Sequence, residues 1–400
     1  MKKYKISCIE PILITKKICR RFILILLGMI LRFIPINSRK IVFSNYYGKG
    51  YGDNGKYIVE KLLEYKENVS IIWLSNDIDK TTIDSSKSVK FVLYGSLRSR
   101  YELASAKIWV DNCRKTYYPK KKKKQFYIQT WHSPLRLKHV EMDAESKLSS
   151  EYINIAKNDS KMIDIITSGC DYSTSIFKKS FWYEGRIVNT GTPRCDIFFR
   201  NNSLIDKKVR VFFQINDNMK ICIFAPTFRN TPNFDYKLNY ELLLQELEEK
   251  FHNTYILLVR LHPNIAENPS NTIFSSKIIN ASHYDDMQEL LFASDILITD
   301  YSSSMFDMLI ARKKCFLYSW DLESYLKNER GMYFKISELP FSFSGSNEEL
   351  LHNVRTFHES SYERNINQFL DRINSFEDGY ASKRVSDLII SLIKKSNRID

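Results

Sequence analysis

Glycine and proline are scarce in this 400-residue chain, with 12 and 10 copies, which excludes collagen-like and low-complexity disordered classes. Seven cysteines (Cys8, Cys19, Cys113, Cys170, Cys195, Cys222, Cys315) form no C-x-x-C pair, so neither a zinc ribbon nor a redox dithiol is written into the chain. Their odd number and wide scatter fit reduced cytosolic thiols. The seven histidines include no H-E-x-x-H or H-x-H cluster, and no metal or other cofactor is expected. No apolar run reaches the ~20 residues that cross a bilayer. Helix-turn-helix, RNP and zinc-finger patterns are missing too, so nucleic acid is not an expected partner despite the basic balance.

What the chain does have is apolar material: 44% of its residues are hydrophobic against 26% charged. Its length exceeds the roughly 250–300 residues at which single cores stop growing, which implies two domains. The net charge of +14 is unevenly placed. Residues 1–40 hold ten basic side chains and one acid, Glu10, and a second run from Arg114 to Lys124 carries Lys120, Lys121, Lys122, Lys123 and Lys124 with no acid. Between Arg21 and Arg32 lies the apolar stretch Phe22–Leu31, interrupted soon after by Pro35 and followed by no small-residue cleavage site. A basic helix lying in a membrane interface is expected there, with a core helix carrying a solvated flank as the other reading.

After Asn37 short apolar runs alternate with helical spacing. Strands are expected at 41–44, 71–74, 90–93, 108–111, 127–130, 163–167 and 187–190, then at 221–224, 255–259, 296–299 and 315–318. Helices are expected at 56–65, 97–106, near 172–181, and at 240–251, 285–293 and 303–311. The charged stretch 200–210 reads as a crossing linker. The fold class is α/β, two doubly wound Rossmann-like domains facing a central cleft. Their expected bounds are 37–205 and 206–400, preceded by a membrane-associating segment over 1–36.

Several motifs stand where such sheets place chemistry. Gly50–Gly55 matches G-x-G-x-x-G, and Gly50–Lys56 begins a P-loop, but Tyr57 occupies the position of the Mg²⁺-binding hydroxyl. That leaves a cleft-lining loop or a plain turn. Thr130-Trp131-His132-Ser133-Pro134-Leu135 leaves one strand, and Arg260-Leu261-His262-Pro263 leaves another in the second half. Two cleft-facing histidines suit an acid–base and phosphate-binding pair. Ala225-Pro226-Thr227-Phe228-Arg229 ends a strand with a hydroxyl and a guanidinium. Thr299-Asp300-Tyr301-Ser302-Ser303-Ser304 runs from a strand into a helix start, either an anion cradle or simple N-capping.

These blocks, with Gly191-Thr192-Pro193-Arg194-Cys195-Asp196, the run Ser294–Asp307 and Arg330-Gly331-Met332-Tyr333-Phe334, occur in an order and spacing that resembles the CDP-glycerol glycerophosphotransferase family. Its members are the wall teichoic acid primases and polymerases and their capsule-cluster relatives. The resemblance implies a GT-B-like fold and peripheral attachment to the cytoplasmic face of the cell membrane. It implies transfer of glycerol phosphate from CDP-glycerol to a hydroxyl of a membrane-linked acceptor, a lipid-linked glycan or polyol phosphate, with release of CMP. By it, His132 and His262 are catalytic and Arg260, Asp300, Ser302 and Ser303 hold the donor phosphates, with Thr227 and Arg229 nearby. Gly191, Thr192, Arg194 and Asp307 are counted with the substrate-binding positions. The first domain becomes the acceptor side, and the second the CDP-alditol side with C-terminal helices. Many members read W-H-G-T-P-L-K where this chain has the shorter Trp131–Arg136, which leaves CDP-ribitol open as donor. A nucleotide-sugar glycosyltransferase of a capsule pathway and a non-catalytic membrane scaffold are the rival readings.

Overall fold

The computed structural model describes residues 27–78, 89–116, 119–229, 236–261, 274–328 and 330–396. Seven parallel strands form the first sheet: β1 (Asn37–Ser44), β2 (Ser70–Ser75), β3 (Val89–Leu93), β4 (Ala106–Asp111), β5 (Phe126–Gln129), β6 (Ile165–Ser168) and β7 (Arg186–Asn189). Their order is β3-β2-β1-β4-β5-β6-β7. The second sheet has β8 (Lys220–Phe224), β9 (Tyr255–Val259), β10 (Ile278–Asn280), β11 (Ile296–Thr299), β12 (Lys314–Tyr318) and β13 (Ser342–Ser344) in the order β10-β9-β8-β11-β12-β13, again all parallel. Each sheet reverses direction once, between β1 and β4 and between β8 and β11. Those crevices at the strands' carboxyl ends are where doubly wound sheets bind ligands.

The strands are apolar throughout because both faces are covered. Alternate residues of one strand enter different cores: Ile41 and Phe43 pack on one face of the first sheet, and Val42 on the other. Helices α1 (Asp53–Glu64), α2 (Leu97–Ser105), α3 (Ser150–Ser160) and α4 (Asp171–Ser180) belong to the first lobe, and α5 (Ser203–Phe213), α6 (Tyr240–Phe251), α7 (Met287–Ala293) and α8 (Ser304–Ala311) to the second. Then come α9 (Leu322–Asn328), α10 (Asn347–Arg355), α11 (Glu359–Ile373) and α12 (Ala381–Ser396).

Three differences from the sequence reading have physical causes. The expected linker at 200–210 is mostly helix α5, whose Val209 and Phe213 enter the second lobe's core while Asp206, Lys207, Lys208 and Arg210 supply the charge that hides its apolar face. Helix α12, placed by sequence with the second domain, instead buries Val385, Ile389, Ile390 and Ile393 against Ile41, Phe43 and Ile58 of the first. The basic run is in good part internal: Arg114 pairs with Glu141 and Asp159, Lys115 with Asp111 at 2.5 Å, and Lys121 with Asp164 at 2.9 Å.

The G-x-G-x-x-G stretch serves packing. A Cβ on Gly55 would stand 2.9 Å from the Trp73 ring, so glycine lets α1 lie close on β2. Lys56, the lysine of the P-loop-like run, is buried between Asp286 and Glu289 of the second lobe, 2.6 Å from each. It joins the lobes and is directed away from any phosphate role. Of the N-terminal segment, residues 1–26 lie outside the described residues; 27–32 are helical, with Leu31 buried while Ile30 is 64% and Phe33 87% exposed. Among the described residues no helix is long and apolar enough to cross a membrane.

Candidate active site

His132 sits in the loop that leaves β5. The residues on either side, Trp131 (φ 51°) and Ser133 (φ 76°), both adopt the left-handed region, a costly conformation that collects at functional loops. The kink is held by the end of β5, by the first turn of α1 and by the loop itself. Trp131 N–H donates to Gln129 Oε1 at 2.9 Å, the Trp131 carbonyl accepts from Asn54 Nδ2 at 2.9 Å, and the Ser133 hydroxyl donates to the Leu135 carbonyl. The imidazole stacks on the Trp131 ring, 4.7 Å between centroids, with the Tyr46 ring 5.3 Å away.

One hydrogen bond settles the tautomer. His132 Nδ1 lies 2.8 Å from the Asn112 carbonyl, at the end of β4 beside the first sheet's switch point. A carbonyl only accepts, so Nδ1 carries the proton and Nε2 keeps the lone pair. Burial lowers the ring's pKa to about 4; the Asn112 bond and the Asp53 carboxylate oppose that, and Arg194 and Arg136 add to it. At neutral pH His132 is an uncharged base.

Asp53 and Arg194 begin a charged chain that crosses between the lobes. Arg194 Nη1 lies 2.6 Å from Asp53 Oδ2, and its Nε and Nη2 engage Asp307 at 3.0 and 2.6 Å in a two-pronged pair. Tyr46 donates its hydroxyl to the same Asp53 oxygen at 2.9 Å. Burial opposes the charge of Arg194, but Asp307 and Asp53 outweigh it and hold the guanidinium well above its usual range. Burial likewise works against the Asp53 carboxylate, but Arg194 together with the Asn54 amide more than offsets it and keeps the group below the usual carboxylate range. Asp307 stands on α8, the helix that follows Ser302 and Ser303. Arg194 and Asp307 are therefore directed at each other, and they tie the His132 lobe to the serine-bearing helix.

The second lobe's switch point holds another cluster. Asp300 Oδ1 accepts from both the amide and the hydroxyl of Thr227, at 2.8 and 2.6 Å. Arg229 pairs with Asp321 at 2.7 Å and Asp300 at 2.8 Å, and lies over the Tyr301 and Tyr325 rings. Arg260 differs: its Nη1 donates to the carbonyls of Ala281 and Tyr284, at 3.2 and 2.5 Å, and no carboxylate pairs with it among the described residues. Ser302 and Ser303 are half-buried where α8 begins, and Ser303 makes no side-chain capping bond. The Ser302 hydroxyl instead accepts from that of Ser304 at 2.9 Å. Gly191 and Thr192 lie beside Glu377, which accepts from the Thr192 amide at 2.9 Å. His262 lies outside the described residues. Among those residues no group of His, Cys, Asp and Glu could hold a metal ion.

Sequence reasoning missed Asp53, Asn112, Asp321 and Glu377, which act on the site from distant parts of the chain. Only Asp53 carried a signal, as an unassigned position inside the glycine motif.

A family model described as CDP-Glycerol:Poly(glycerophosphate) glycerophosphotransferase matches residues 26–391. The chain belongs to this family. It is 31% identical over 373 residues to a teichoic acid poly(glycerol phosphate) polymerase of Bacillus spizizenii, covering 90% of this chain and 94% of that protein. A polymerase of the same description from Staphylococcus epidermidis is also 31% identical, over 90% of this chain and 52% of its own, so the chain spans about half the length of that relative. Among solved structures, the wall teichoic acid polymerase TagF superposes with a TM-score of 0.82 at 28% identity, covering 98% of this chain and 99% of that one. In this member of the family the kinked histidine loop stands on the first lobe and the serine-led helix on the second, tied together through Arg194 and Asp307.

Proposed function

We propose that this chain transfers glycerol phosphate from CDP-glycerol to a hydroxyl of a membrane-linked acceptor, releasing CMP, in the synthesis of teichoic acid or a related surface polymer. The observation that carries the reading is the fixed tautomer of His132, a neutral imidazole whose free lone pair sits on Nε2. In the proposed step Nε2 takes the proton of the acceptor hydroxyl as its oxygen bonds to the β-phosphorus of CDP-glycerol. The bridging P–O bond breaks and CMP leaves with the electron pair. Arg260, Ser302, Ser303 and His262 hold the diphosphate, where a guanidinium with no carboxylate partner among the described residues and a helix start favour negative charge. Thr227, Asp300 and Arg229 build the floor beneath it; Gly191 and Thr192 line the first lobe. Arg194 and Asp307 serve as positioning residues.

A panel of CDP-glycerol, CDP-ribitol, UDP-sugars and GDP-sugars, offered with a glycerol phosphate acceptor, tests the assignment. CMP should appear with CDP-glycerol. Release of UDP or GDP would make the protein a glycosyltransferase, and silence with every donor would make it a scaffold.

The same reading places the protein peripherally on the cytoplasmic face of the membrane. Its support is the basic, apolar N-terminal segment, whose described end exposes Met29, Ile30 and Phe33 beside Arg32. A chain lacking residues 1–30, which keeps the buried Leu31, should lose most of its sedimentation with phosphatidylglycerol vesicles. Unchanged sedimentation would refute the anchor.

A further inference from the structure

Arg136 closes the motif that begins at Thr130, yet nothing in the mechanism above uses it. It is 5% exposed, and its Nε and Nη1 have no hydrogen-bond partner among the described residues. No carboxylate pairs with it among the described residues, and its guanidinium lies 4.5 Å from the centre of the Phe177 ring. Burial lowers its pKa to about 10, so it stays charged at neutral pH. A buried cation with open donors is costly, and folded proteins keep one where a ligand or water completes it.

The surroundings say what completes it. Arg136 lines a narrow pocket with Thr130, Ser133, Thr167, Ser173 and Thr192, with room for about one water-sized group. The Ser133, Ser173 and Thr130 hydroxyls donate to backbone carbonyls, so the open donors of the pocket are those of Arg136. Glu377 bonds the Thr192 amide at the edge of this region, and burial raises its pKa to about 8, so it is neutral at pH 7 and does not repel one. We infer that this pocket is an acceptor subsite: Arg136 receives one non-bridging oxygen of the phosphodiester that precedes the acceptor's terminal polyol. The assignment to acceptor follows from the lobe. All the lining residues belong to the first lobe, and Thr130 and Ser133 flank the His132 loop, whereas the proposed donor anchors lie on the second. The inference rests on the glycerophosphotransferase reading.

The test uses the full chain with a soluble glycerol phosphate oligomer as acceptor. Arg136→Met should raise KM for the oligomer by roughly tenfold or more, from loss of a charge-assisted bond, while KM for CDP-glycerol moves less than about twofold. Arg136→Lys should recover part of the loss, because it restores the charge without the planar fork. Independently of turnover, glycerol 3-phosphate should raise the melting temperature of the native chain and leave that of Arg136→Met unmoved. Equal shifts in both proteins, no shift in either, or a matching rise in donor KM would overturn the subsite. If no CDP-alditol is turned over at all, the activity assignment has failed, and the melting experiment still decides the pocket.

Discussion

His132→Ala should lower CMP release from CDP-glycerol by about 10²- to 10⁴-fold, the range a positioned general base contributes. The expectation rests on how much structure is committed to one ring. Two left-handed residues bracket it, Trp131 stacks on it, and the Asn112 carbonyl fixes which nitrogen is bare. His132→Gln is the sharper variant, since its amide can still donate to Asn112 but cannot take a proton at neutral pH. A variant retaining more than about a tenth of native turnover would remove His132 from the base role. The pH profile offers a second check. The ring must be neutral to act, and burial holds its pKa near 4, so activity is lost as pH falls through that value. The acid limb of kcat/KM should therefore lie below pH 5, well under the ordinary histidine range; a limb near 6.5 would mean the ring is more open to water than the fold implies.

The second large effect concerns stability. Arg194→Met should cost about 3–5 kcal/mol in urea unfolding, because it leaves Asp53 and Asp307 buried without their cation. The penalty comes from the stranded carboxylates, so Arg194→Met/Asp307→Leu should recover a substantial part of it. Equal losses in the single and double variants would show that Arg194 contributes packing alone. Turnover should fall in both, since the tie between the His132 loop and α8 is gone.

Much of this architecture was legible in the sequence. Buried parallel strands are short, apolar and bounded by polar loops, so β1, β8, β9 and β11 announce themselves, and the motifs that follow β8 and β11 fall at the second sheet's switch point. What was not legible depends on partners far away in the chain. Arg194 and Asp307 look like ligand-binding residues one at a time; only folding shows that they satisfy each other. Arg114, Lys115 and Lys121 look like a solvated basic run until Glu141, Asp159, Asp111 and Asp164 are brought to them. Strands β10 and β13, three residues each, are too short to show a period. The destination of α12 was hidden because an amphipathic stripe states that a face is buried without saying against what.

That last helix bears on how the protein is made. Its side chains complete a hydrophobic layer begun by residues more than three hundred positions earlier, so the lobe synthesised first cannot be sealed until α12 itself has been made. During translation an unclosed apolar stripe on β1 and α1 waits while the whole second lobe emerges and folds. The first lobe thus closes like a clasp, with α12 locking β1 in place.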